Sequence, residues 1–172
     1  SNFRLDINSM LDRMVGCLRD IGAAASAHPV PPNACYDDTQ DPRGYFSHYQ
    51  EQIFLGKCAG NCSANIDGVT TNCPAVLILG NQRGAAAPPC PAGPQRRTTP
   101  GDKAVACNYL EEPNLASFTG GGTSYAGHSQ FARVSPTHPA QQDIVRCIPS
   151  GASFSEAPSA LAATSDLIRY NP

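Results

Sequence analysis

The sequence predicts an α+β fold in which a long N-terminal amphipathic helix packs on one antiparallel β-sheet, loop-rich and stapled by disulfides. Three observations lead there. A single helical stripe is confined to the N-terminus, short apolar runs alternate with Pro- and Gly-rich turns, and eight cysteines are spread along 172 residues. The length suffices for one domain and falls short of two ordinary ones. We read residues 1–172 as a single domain, with a helix over 3–27, a connecting loop over 28–50 and a sheet region over 51–172.

The helix comes first. At about 100° per residue, Phe3, Ile7, Met10, Leu11, Met14, Cys17, Leu18 and Ile21 form a stripe roughly 120° wide. Arg4, Asn8, Asp12, Arg13, Arg19 and Asp20 lie off it, Val15 falls just beyond its edge, and Leu5 is the exception. Gly22 and the Ala run weaken the helix, and Pro29, Pro31 and Pro32 end it. Phe3 already sits on the apolar face, and a start capped by Asp6 or Ser9 would leave it outside the pattern. The expectation is a helix that continues upstream of this chain.

Beyond the helix the pattern shortens. Residues 45–56 suit a short helix or strand, and PAVLILGN over 74–81 is the clearest strand. Residues 103–110 form the next, with Val105, Cys107 and Tyr109 on one face; 129–134, 142–148 and 166–170 are further strand candidates. A Pro-rich loop spans 84–101 and a Gly-rich one 118–127. Antiparallel pairing is expected because each parallel crossover would need a second long helix, and none is evident.

Composition narrows the function. Gly and Pro number 15 and 16, apolar residues make up 41%, charged residues only 15%, and the net charge is −2. With no basic excess, no nucleic-acid partner is expected. No run approaches the ~18 apolar residues that span a bilayer.

Cys17, Cys35, Cys58, Cys62, Cys73, Cys90, Cys107 and Cys147 are an even set, which suggests a disulfide framework and an oxidising compartment. Zinc is the competing reading for Cys58, Cys62 and Cys73, although a structural zinc site usually shows two close pairs. Cys17 faces the core, and Cys35, Cys62 or Cys73 can partner it.

Catalytic and metal patterns are thin. Gly127-His128-Ser129-Gln130-Phe131 imitates a nucleophile elbow, but Phe131 stands where the sharp turn needs glycine. His28, His48, His128 and His138 are scattered and read as solvated loop residues. Asp37, Thr39 and Asp41 alternate as calcium ligands do, yet Pro42 and His48 occupy the positions where an EF-hand loop needs Gly and Glu. The segment is therefore a non-EF calcium candidate or an Asp-rich turn. Arg83, Arg96 and Arg97 make a local basic spot, and Asn61-Cys62-Ser63 fits a glycosylation sequon. No catalytic site and no cofactor are expected.

FRLDINSMLDRMVGCLRDIGAAAS, followed by a loop and the strands PAVLILGNQR, DKAVACNYLEEPN and QDIVRCIPS, resembles type IV pilin-like proteins, in particular minor pilins and type II secretion pseudopilins. The resemblance covers most of residues 3–148, and the eight cysteines exceed that family's usual one or two bridges. It implies a soluble domain lacking the membrane half-helix, and a structural subunit of a pilus or pseudopilus without catalysis. The implied partners are other pilin or pseudopilin subunits, through the N-terminal helix, and the inner membrane through a missing anchor. The implied place is the periplasm or a cell-surface fibre, with the 84–101 and 118–128 loops facing outward. The alternative is a secreted disulfide-rich binding or inhibitor module using the Pro-rich loop. A secreted hydrolase using Ser129 with His128 or His138 stands behind both.

Overall fold

Helix α1 runs over Asn2–Ile21 and lays Ile7, Met10, Leu11, Met14 and Leu18 into the core, the i, i+3, i+4 spacing of one helical face. The computed structural model describes residues 2–22, 25–81, 97–120, 130–133 and 142–151. The helix stops six residues short of the expected 27 and well before the prolines. Gly22 adopts φ +66° and its N–H donates to the Arg19 carbonyl at 3.2 Å, the left-handed cap that terminates helices. The stripe ends there too: Ile21 is exposed rather than packed. Ala27 then bridges to Leu55, exchanging backbone hydrogen bonds at 3.0 and 2.9 Å.

The stretch read as ambiguous over 45–56 is both things in turn. Helix α2, Tyr45–Tyr49, buries Phe46, a 3-10 turn covers Gln50–Gln52, and β1 begins at Ile53. Strand β1, Ile53–Ile66, turns at Asp67-Gly68 into β2, Val69–Leu79. The turn residues have φ 52° and 86°, both positive as a tight hairpin requires. The pairing register shifts between Lys57 and Cys62, opposite Pro74. Proline has no N–H to give the ladder, so the extra β1 residues bulge out where pairing lapses.

Among the described residues the sheet has four strands in the order β3-β1-β2-β4, with β3 at Gln130–Ala132 and β4 at Ile144–Ile148. It is mixed, where an antiparallel sheet was expected: β3 runs parallel to β1, Ser63 to Asn65 pairing with Gln130 to Ala132. A crossover requires chain length rather than a long helix. Among the described residues the intervening segment holds α3 (Pro100–Lys103), a 3-10 turn (Ala106–Asn108) and α4 (Asn114–Gly120).

That segment replaces the strand expected at 103–110. Thr99 caps α3 by accepting the Asp102 N–H at 3.1 Å, while the Asp102 carboxylate accepts the Thr99 N–H at 3.2 Å. Pro100 sits in the first turn, so local capping starts a helix where alternation suggested a strand. Val105 is exposed while Tyr109 and Leu110 are buried.

Strand alternation gives the sheet two apolar faces. Ile53, Leu55, Leu77 and Leu79 meet α1, Tyr36 and Phe46; Phe54, Val76, Ile78 and Val145 meet Tyr109, Leu110 and Leu115. Gly80 lets these layers close: a Cβ there would lie 2.9 Å from that of Tyr109.

Disulfides tie the layers. Cys17–Cys35 joins α1 to the following loop, Cys58–Cys62 spans the β1 bulge, and Cys73–Cys147 joins β2 to β4. Their Cα separations are 6.2, 5.7 and 5.6 Å, all within disulfide range. Cys107 is also disulfide-bonded, whereas Cys90 lies outside the described residues. These bonds assign the chain to an oxidising, extracytoplasmic compartment. No helix among the described residues is long and apolar enough to cross a membrane.

Candidate functional site

Two features stand out: a cleft beside β1 and the seam between α1 and the sheet. The cleft, of about 620 Å³, lies among the His28-Pro29 loop, α2, the Gln50–Gln52 turn and α3. His28 is its fixed wall. Its Nε2 lies 2.7 Å from the Glu51 carbonyl, its ring stacks on Phe54 with centroids 3.7 Å apart and 9° between planes, and Tyr109 meets it edge-on at 5.6 Å. Burial pushes the imidazole below its ordinary pKa, against the smaller opposing pull of Glu51. His28 was expected to be a solvated loop histidine; the apolar ring beneath it and its carbonyl partner hold it in place.

Across the cleft, Lys103 Nζ lies 3.3 Å from Glu51 Oε2. Ser47 is fixed by Asp38, which accepts its N–H at 3.1 Å and its hydroxyl as well. Gln50 Nε2 donates to the Val30 carbonyl at 2.8 Å. His48 is exposed, as expected, and meets the Tyr49 ring edge-on at 4.6 Å.

At the seam, Arg146 projects from β4 beneath α1 and is buried. One terminal nitrogen donates to Asn8 Oδ1 at 2.7 Å, and Nε lies 3.9 Å from Asp12 Oδ1. Burial, only partly offset by Asp12, lowers its pKa to about 10. Asn8 and Asp12 are four residues apart, so one helical face presents both to the same guanidinium. A second arginine clamps the other side of α1: Arg43 donates to Asp6 at 2.6 Å and to both Asp41 oxygens at 2.9 and 3.1 Å.

The calcium candidates serve other partners here. Asp37 accepts the Thr39 N–H and hydroxyl at 2.9 and 2.7 Å, closing a turn on itself, while Asp41 is engaged by Arg43. The Arg43 hydrogen bonds hold the Asp41 carboxyl below the usual carboxylate range. Among the described residues no cluster of three or more His, Cys, Asp or Glu side chains has a metal-holding arrangement. The zinc reading of Cys58, Cys62 and Cys73 fails on its chemistry, since all three sulfurs are in disulfides rather than available as thiolates.

Arg97 is not a solvated basic residue. It donates to the Asn108 carbonyl at 2.6 and 2.9 Å and to the Asn81 carbonyl at 3.1 Å, and covers the Tyr109 ring at 4.3 Å. Asn61 of the sequon is exposed within the bulge that Cys58–Cys62 brackets. Arg83, Arg96, His128, Ser129, His138, most of the 84–101 loop and the 166–170 strand candidate lie outside the described residues.

Sequence reasoning missed the cleft and Arg146. The cleft draws on three segments separated along the chain, and no motif links them. Arg146 carried one signal: a lone charge within the apolar run IVRCI. Comparison of the chain with protein-family models, with curated proteins and with solved structures finds no match.

Proposed function

We propose that this protein is a structural subunit of a type IV pilus-like or pseudopilus-like fibre, working by assembly and without catalysis. The observation that carries the reading is the way α1 is held. One face is sunk into the sheet through Ile7, Met10, Leu11, Met14 and Leu18, while Ser9 and Asp20 remain exposed on the other. A helix anchored by one face keeps the other for its neighbours. In this proposal α1 packs against subunits of the same kind, the sheet layer faces outward, and the subunit is held at the inner membrane before entering a periplasmic or cell-surface fibre.

The bracing around α1 supports the same role. Cys17–Cys35 and the Arg43 clamp hold the helix to the loop that follows it, and the Arg146 contact holds it to β4 of the sheet. A subunit that transmits load through its helix gains from such ties, because they add covalent and hydrogen-bonded links to the close packing of the core. The test is fractionation of the native host. Filaments sheared from the cell surface, or the inner-membrane assembly platform, should carry the protein, and recovery only as a free secreted monomer contradicts the proposal.

A further inference from the structure

The cleft beside His28 takes no part in the assembly proposed above, and its wall has a definite chemistry. Its volume of about 620 Å³ falls in the range of small-ligand sites. Among its described lining residues Glu51 and Lys103 carry formal charge, one of each sign, paired at 3.3 Å. A wall with balanced charge has no Coulombic preference for an anion or a cation. It offers a carboxylate that accepts hydrogen bonds from hydroxyl groups and an ammonium that donates to them. Their side chains are 34% and 47% exposed, so ligand hydroxyls reach both without stranding a buried charge.

His28 supplies the flat surface. Phe54 takes one face of the imidazole, Tyr109 meets it edge-on, and the Glu51 carbonyl fixes the ring nitrogen, so the platform is set before a ligand arrives. Burial lowers the ring's pKa and so favours its uncharged form, which suits packing against C–H groups. His48 adds a ring at the exposed side of the cleft.

We propose that this cleft binds a neutral saccharide, with a sugar ring against the His28 imidazole and neighbouring hydroxyl groups bridging Glu51 and Lys103. A ligand of this class matches each property of the wall: no net charge, apolar C–H faces, and hydroxyls that both donate and accept.

Isotope-labelled protein titrated with cellotriose, maltotriose and N,N′,N″-triacetylchitotriose at millimolar concentration tests the assignment, with sialyllactose and trilysine as charged comparisons. At least one neutral trisaccharide should shift the backbone resonances of His28, Glu51 and Lys103. Glu51→Gln should weaken that binding about tenfold or more, through loss of charge-assisted hydrogen bonds. Lys103→Met is the second variant, and either serves if its spectrum is otherwise unchanged. The proposal is overturned if no neutral trisaccharide perturbs the cleft, if only a charged compound does, or if both variants bind as the unmodified protein does.

Discussion

Arg146 donates a hydrogen bond to Asn8 at 2.7 Å, although the two residues are 138 positions apart in sequence. That contact fixes which turn of α1 sits over β4. Among the described residues it is also the one side-chain hydrogen bond of a buried guanidinium, whose Nε and other terminal nitrogen find no hydrogen-bond partner there. Asn8→Ala should therefore destabilise the fold by about 1–3 kcal/mol, the cost of stranding a buried donor. Arg146→Met should cost less, because it removes the buried charge and strands only the neutral Asn8 amide oxygen. Urea denaturation of both variants checks the order; equal losses would contradict it.

The seam shows how far the sequence could be read. Ile7, Met10, Leu11, Met14 and Leu18 are buried as their period predicts, because a helical stripe is written locally. The strands at PAVLILGN and QDIVRCI carry equally local apolar runs and were legible. By contrast, KCAGNCSANI was not picked out as a strand, with Gly, Asn and Ser at four of its ten positions, yet it completes β1 because β2 and β3 pair with it from both sides. Parallel pairing of β3 was hidden for the same reason: the partner strand lies some 67 residues earlier, as in Ala64 with Phe131. The capping pattern at 99–102 lies at the end of the stretch expected as a Pro-rich loop, so the helix it starts was not expected. The cleft joins three distant segments, so only folding brings its groups together.

His28 sets a pH dependence. Its folded pKa lies below the ordinary imidazole value, so the unfolded chain binds the proton more tightly. Stability from this group is intact above the unfolded value of about 6.5 and is lost as pH falls through the folded value. Thermal melts between neutral pH and pH 5 should show a falling midpoint, and the fall should be smaller in His28→Phe, which keeps a ring over Phe54. An identical slope in both proteins would contradict the assignment.

The disulfides should differ in worth according to the loops they close. Cys58–Cys62 spans 4 positions and Cys73–Cys147 spans 74. Loop-closure entropy gives about 2 kcal/mol for the first and about 4.5 kcal/mol for the second. Paired alanine replacements compared by urea denaturation should reproduce that order. A larger loss at Cys58–Cys62 would mean that the bulge, rather than chain entropy, governs stability there.

Gly80 stands where β2 leaves the sheet against Tyr109. Gly80→Ala places a methyl group 2.9 Å from the Tyr109 Cβ and 3.2 Å from its carbonyl oxygen, so backbone has to move. The expected loss is about 1–3 kcal/mol, with the near-ultraviolet circular dichroism of the tyrosines altered as well. A neutral substitution would show that the 106–110 turn yields freely.

The central claim concerns α1, whose exposed face is read as an interface between subunits. Ser9 lies on that face. The most direct measurement is cross-linking of Ser9→Cys with a thiol-directed bifunctional reagent in the native host, beside maleimide labelling of the isolated protein. The account predicts ready labelling of the isolated protein, protection within the cell, and a cross-linked product joining α1 to a neighbouring fibre subunit. Equal labelling in both settings, with no cross-linked product, would contradict it.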